Sequence, residues 1–103
     1  MVELRVLAAV TGLALALPVA AGQTQTISID GMQFAPASFT VKQGDTVVWE
    51  NRDLVPHTVT ARGAFDSGPI AAGKTWRLVA KKAGRFEYVC TLHPTMKATL
   101  VVE

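Results

Sequence analysis

The chain has 103 residues, half of them apolar and 17% charged, with a formal net charge of +2 and a mean hydropathy of +0.30. That composition suits one small domain and excludes disorder. It also excludes nucleic-acid binding through bulk positive charge, because Arg52, Arg62, Lys74, Arg77, Lys81, Lys82, Arg85 and Lys97 are scattered among acids and form no run with interleaved aromatics.

In chain order, the first feature is an apolar stretch from Val6 to Leu17, broken only by Thr11 and Gly12. With Met1 to Arg5 as its n-region and Val19-Ala20-Ala21 ahead of a cut near Gly22, it reads as an export signal over residues 1–21. The competing reading is a retained anchor, but a span needs about 20 apolar residues and this run stops at Pro18. Residues 22–103 are then expected to be one exported domain, periplasmic, with no membrane span after cleavage. A domain of this size builds a modest core and often needs a staple. The single cysteine, Cys90, allows no internal disulfide. In an exported chain it is a free thiol, half of an intermolecular bridge or a ligand.

Beyond the leader the apolar runs are short and alternate, which is the pattern of half-buried strands. Thr24 to Asp30 puts Ile27 and Ile29 on one face, and Ala35-Pro36-Ala37 reads as a connection. Ser38 to Lys42 pairs Phe39 with Val41, Gly44-Asp45 makes a turn, and Thr46 to Glu50 is a β-branched run containing Trp49. After a loop over Asn51 to Pro56, His57 to Ala61 alternates again. Arg62 to Gly73 is irregular apart from a short piece near Phe65. Lys74 to Ala80, Gly84 to Cys90 and Lys97 to Glu103 complete the set. No helical periodicity outlasts a turn. About seven to eight short strands with glycine turns predict an antiparallel all-β sandwich or barrel.

The chemistry concentrates in Cys90-Thr91-Leu92-His93-Pro94-Thr95-Met96, where thiolate, imidazole and thioether follow one another at three-residue intervals. A tight loop leaving a strand can wrap all three around one ion. Soft ligands select copper, and a Cys with two His and a weak axial Met is the donor set of an electron-transfer copper site. The second imidazole has to come from His57, the other histidine of the chain. Parity supports the grouping: Phe86, Tyr88 and Cys90 share one face, as do His57, Val59 and Ala61, and Met96 shares parity with Ala98, Leu100 and Val102. Each candidate ligand therefore points coreward. Zinc is the competing metal, since a Cys and two His can bind it with water in the fourth position, but zinc gains little from a thioether.

Cys-x-x-His-x-x-Met with an upstream Pro56-His57 resembles the type I blue copper proteins of the cupredoxin superfamily, and is most similar to the plastocyanin- and amicyanin-like group, amicyanin above all. Phe34-Ala35-Pro36, Gly44-Asp45-Thr46-Val47, Val48-Trp49, Asn51, Pro56-His57-Thr58 and Phe65-Asp66-Ser67-Gly68 are further matching positions. The chain departs from the amicyanin pattern at Leu92, where a proline is usual, and at Thr95, where an aromatic is usual. The resemblance implies a Greek-key sandwich holding one copper ion on His57, Cys90, His93 and Met96. It implies that Asn51 ties its strand to the loop after the cysteine, with Thr91 in that loop also supporting the ligands. His93 would be the electron port, ringed by Met32, Pro36, Pro56, Leu92 and Pro94 as an apolar docking patch.

Three functional classes remain open at this point. The chain is a mobile electron carrier between a dehydrogenase or oxidoreductase and a cytochrome or oxidase, a copper-handling protein without an electron-transfer role, or a copper enzyme. An enzyme needs a second metal or an open substrate position, and both histidines are already assigned. The carrier, a monomer, is the expected function.

Overall fold

Wherever apolar residues alternate in the sequence, the chain runs extended, and the alternation leaves one face of each strand for a shared core. The computed structural model describes residues 22–103; the leader expected over residues 1–21 lies outside the described residues. Nine strands follow in order: β1 (Thr24–Ile29), β2 (Phe34–Ala35), β3 (Ser38–Val41), β4 (Thr46–Asn51), β5 (Thr60–Ala61), β6 (Phe65–Asp66), β7 (Thr75–Val79), β8 (Gly84–Cys90) and β9 (His93–Val102). They form a four-stranded sheet in the order β2-β1-β4-β7 and a five-stranded sheet in the order β3-β9-β8-β5-β6. This is an all-β sandwich.

Two details differ from the expectation. The additional strand is β2, a two-residue partner of β1 that pairs Ser28 with Ala35 and Ile29 with Phe34; such a piece is too short to show alternation. The sheets are also mixed rather than antiparallel throughout, because β1 runs parallel to β4 and β3 runs parallel to β9. Alternation specifies which side chains face inward and carries no information on the direction of the neighbouring strand.

The core lies between the sheets. Ile27, Ile29, Val47 and Trp49 come from the four-stranded sheet and Ala61, Tyr88, Cys90, Ala98, Leu100 and Val102 from the other, with Val59 packed beside them from the segment before β5. Trp49 and Tyr88 join the layers: the indole Nε1 donates to the Tyr88 hydroxyl at 3.1 Å, and the rings meet edge to face at 5.6 Å. An aromatic pair of this geometry is worth about 0.5–1.5 kcal/mol beyond its buried area.

Two irregularities build one end of this frame. The β8–β9 register shifts between Val89 and Cys90, so that Val89 pairs with Lys97 while Cys90 pairs with His93. The residues released by this bulge form a tight return directly after the cysteine, and β9 begins at His93 rather than at Lys97. His57 stands outside β5 and is held by an isolated bridge to Ile70, donating to it at 3.1 Å and accepting from it at 2.7 Å. The strand expected over His57 to Ala61 thus has ladder pairing only at Thr60–Ala61.

Candidate metal centre

Cys90 is the last residue of β8, His93 the first of β9, and His57 precedes β5, which pairs with β8. These neighbouring ends bring three candidate ligands together: one donor atom each of His57, Cys90 and His93 lies within 4.8 Å of the others. Cys90 Sγ is 3.7 Å from His57 Nδ1 and 3.8 Å from His93 Nδ1. A metal bonded to sulfur at about 2.3 Å and to nitrogen at about 2.0–2.1 Å places sulfur and nitrogen roughly 3.5–3.8 Å apart for bond angles of about 110–120°. The two sulfur–nitrogen separations therefore match those of one shared ion of that size. Met96 is buried on β9, at 4% exposure, and borders a cleft lined by Met32, Gln33, Phe34 and Thr95.

The two imidazoles differ in exposure. His57 is fully buried and His93 is partly exposed, their ring centroids 5.1 Å apart. On its far side His57 meets Asp53, whose Oδ2 lies 2.8 Å from Nε2. A carboxylate only accepts, so Nε2 is the donor in this contact, and Nδ1 is the ring nitrogen that faces Cys90. Burial pushes the Asp53 carboxyl up, but amide donors Met32 and Gly31 and the His57 ring outweigh it and hold the group below its ordinary value. Those amides come from consecutive residues with positive φ, 64° at Gly31 and 60° at Met32. Both N–H groups thereby aim at one carboxylate, at 2.7 and 2.9 Å. Asp53 was not among the sequence candidates. An acid four residues before a candidate ligand histidine is the signal that points to it.

Asn51 does not reach the loop after the cysteine. Its amide nitrogen donates to the carbonyls of Val55 at 2.8 Å and Ile70 at 2.9 Å, and its oxygen accepts from Asp53 N at 2.9 Å. An amide offers donors and an acceptor at once, so one fully buried side chain closes the loop that carries Asp53 and His57. The tie to the cysteine loop is made by Thr58 instead. Its Oγ1 accepts from Thr91 N at 2.8 Å and lies 3.1 Å from Thr91 Oγ1. Its backbone N–H donates to Cys90 Sγ at 3.3 Å. Thr58 stands beside β8 through the β5 pairing, whereas Asn51 ends a strand of the opposite sheet.

Met32, Pro36, Pro56, Leu92 and Pro94 are all exposed. Leu54 and Val55 join them, at 94% and 41% exposure. Residues 54–56 and 92–94 flank the histidines in sequence, and the Gly31–Met32 turn is bonded to Asp53 beside them. Asn51 to Pro56 reads only as a loop in sequence; two adjacent apolar residues before the Pro-His pair are the signal for Leu54 and Val55.

The family model of the cupredoxin-like domain matches residues 4–102. Amicyanin of Paracoccus versutus is 29% identical over 83 residues, a match covering 75% of this chain and 63% of that protein. Amicyanin-alpha of Methylorubrum extorquens is 32% identical over 93 residues, covering 81% of this chain and 74% of that one. A solved Cu(I) structure of an amicyanin point mutant superposes with a TM-score of 0.74 at 32% identity, covering 82% of this chain and 86% of its own. With a cysteine and two histidines gathered at one end of a two-sheet sandwich, and a family model that matches residues 4–102, this protein belongs to the cupredoxin-like family, on its amicyanin-like side.

Proposed function

We propose that the protein is a type I blue copper electron carrier, with His57, Cys90, His93 and Met96 as its metal ligands. The observation that carries this reading is the meeting of Cys90 Sγ with the Nδ1 atoms of His57 and His93 at 3.7 and 3.8 Å, in a family matched over residues 4–102. A thiolate with two imidazoles and a thioether is a donor set for copper. Bound there, copper supplies a one-electron Cu(II)/Cu(I) couple.

The protein's own part is to hold those donors still and dry. β8 and β9 fix Cys90 and His93 across a paired register, and the Ile70 bridge fixes His57. Asp53 keeps the Nε2 proton and thereby orients the His57 ring, as outer partners of ligand histidines do. Thr58 N–H steadies the sulfur. Ligands that scarcely move when the charge changes favour fast transfer, and the partly exposed His93 is the route to the surface. The exposed Met32, Pro36, Leu54, Val55, Pro56, Leu92 and Pro94 are its apolar rim for transient docking.

On this reading residues 22–103 form the single working domain, exported by a signal over residues 1–21 to the periplasm. The partners are a dehydrogenase or oxidoreductase as donor and a cytochrome or oxidase as acceptor. The protein works as a monomer and is not itself an enzyme, because the chain's two histidines and one cysteine are all spent on one site. Cu(II) added to the purified protein is expected to give an intense blue colour, absent in Cys90→Ser, and reversible voltammetry. Colourless protein overturns the reading, and so does ready loss of copper to an apo acceptor with no reversible couple.

A further inference from the structure

A file of hydroxyls leads away from the cysteine loop. Thr91 Oγ1 is 3.1 Å from Thr58 Oγ1, which is 3.0 Å from Thr60 Oγ1, which donates to Asp66 Oδ1 at 3.0 Å. Each hydroxyl has one proton to give, and a carboxylate gives none. That accounting orders the whole file. The proton of Thr60 goes to Asp66, so the contact between Thr60 and Thr58 uses the proton of Thr58. Thr58 Oγ1, its proton spent, can only accept from Thr91, and it does so twice, from the N–H at 2.8 Å and from the hydroxyl. Every hydroxyl proton therefore points outward, from the metal site toward Asp66 at the sheet edge.

The same residue that receives Thr91 also donates its backbone N–H to Cys90 Sγ at 3.3 Å. With the Thr91 hydroxyl directed at Thr58, the sulfur accepts from the Thr58 amide and not from that hydroxyl. We infer that Thr60 and Asp66 are positioning residues for the Cys90 thiolate, acting through the ordered hydroxyls of Thr58 and Thr91. The effect on a copper site rests on the function proposed above; the proton order does not. Asp66 Oδ1 also accepts from Gly68 N at 3.0 Å, so Asp66 has a separate role in its turn, whereas Thr60 has no part in that contact. Thr60 is for this reason the decisive position.

Thr60→Val keeps the shape and removes the relay, and Thr60→Ser restores it. In the metal-free protein, Thr60→Val is expected to speed exchange of the Thr91 amide roughly two- to tenfold, the net worth of one hydrogen bond. The Gly68 amide is expected to be unchanged, and Thr60→Ser to exchange as wild type does. In the copper-loaded protein the same substitution is expected to raise the reduction potential and shift the copper–sulfur band, because hydrogen bonding at the sulfur tunes such sites. A wild-type protein that takes up no copper sinks the proposed function and leaves the metal-free result standing. Thr91 exchange unmoved by Thr60→Val, or moved only by Asp66→Asn together with Gly68, overturns the relay and confines Asp66 to its turn.

Discussion

Asp53 and His57 are one carboxylate and one imidazole apart by 2.8 Å, and that contact decides which ring nitrogen of the histidine faces the cysteine. Asp53→Ala leaves both tautomers of His57 accessible and frees the Gly31–Met32 turn from its acceptor. Metal affinity, measured by competition with a chelator, is expected to fall about 10- to 100-fold. Asp53→Asn is expected to lie between, since its amide oxygen can still accept from Nε2.

Tyr88 is the chain's single tyrosine, so ultraviolet titration reports it alone. Burial pushes its hydroxyl up to about 12, against a smaller downward pull from the Trp49 hydrogen bond. The folded value lies above the unfolded one, near 10.0. The stabilisation is therefore complete below pH 10 and is lost as pH rises toward 12. Tyrosinate absorbance and loss of fold are expected to rise together over that interval; a tyrosine titrating near 10 in the folded protein contradicts the burial. Tyr88→Phe strands the Trp49 N–H in the core and is expected to cost about 1–3 kcal/mol in denaturant melts.

Asp45, like Asp53, contributes to the acid side. Amide donors Lys42 and Gln23 hold its carboxyl below the ordinary value of 3.8, outweighing the upward push of desolvation. Its oxygens accept from Gln23 N at 2.9 Å and Lys42 N at 3.0 Å, tying β1's start to the turn before β4. A depressed folded value gives stability that is present above 3.8 and lost as pH falls through the lower folded value. Asp45→Asn is expected to flatten the acid limb of the stability curve below pH 4, measured by thermal melts, and to leave the alkaline limb alone.

Leu54, 94% exposed, contributes little to folding. Leu54→Lys is expected to shift stability by no more than about 0.5 kcal/mol. If the apolar rim docks redox partners, the same change is expected to weaken partner binding roughly tenfold in electron-transfer titrations, with the copper spectrum unaltered. Equal rates for the two proteins place docking elsewhere.

How far the sequence reaches is visible at single residues. Parity places Cys90, His57 and Met96 on the inward face of their segments, and each is at most 4% exposed. The Cys-x-x-His spacing places His93 within a short return of Cys90, and the β8–β9 bulge provides that return. The two-residue β2 escaped notice because it has no period, and the parallel pairs because period carries no direction. Asn51 and Thr58 were the harder case: both are polar, both flank His57, and nothing in their spacing says which one faces the cysteine loop.

By itself, then, the sequence determined which residue types face inward and which stand close along the chain, because a strand's side chains alternate and a short loop cannot separate its ends. Only the tertiary structure decided who answers whom across the two sheets. Asp53 belongs to His57, Thr58 to Thr91 and Cys90, and Asn51 to its own loop. Hydrogen-bond partners 32 residues apart in sequence are set by sheet order and register, and neither is written in the alternation of a single strand.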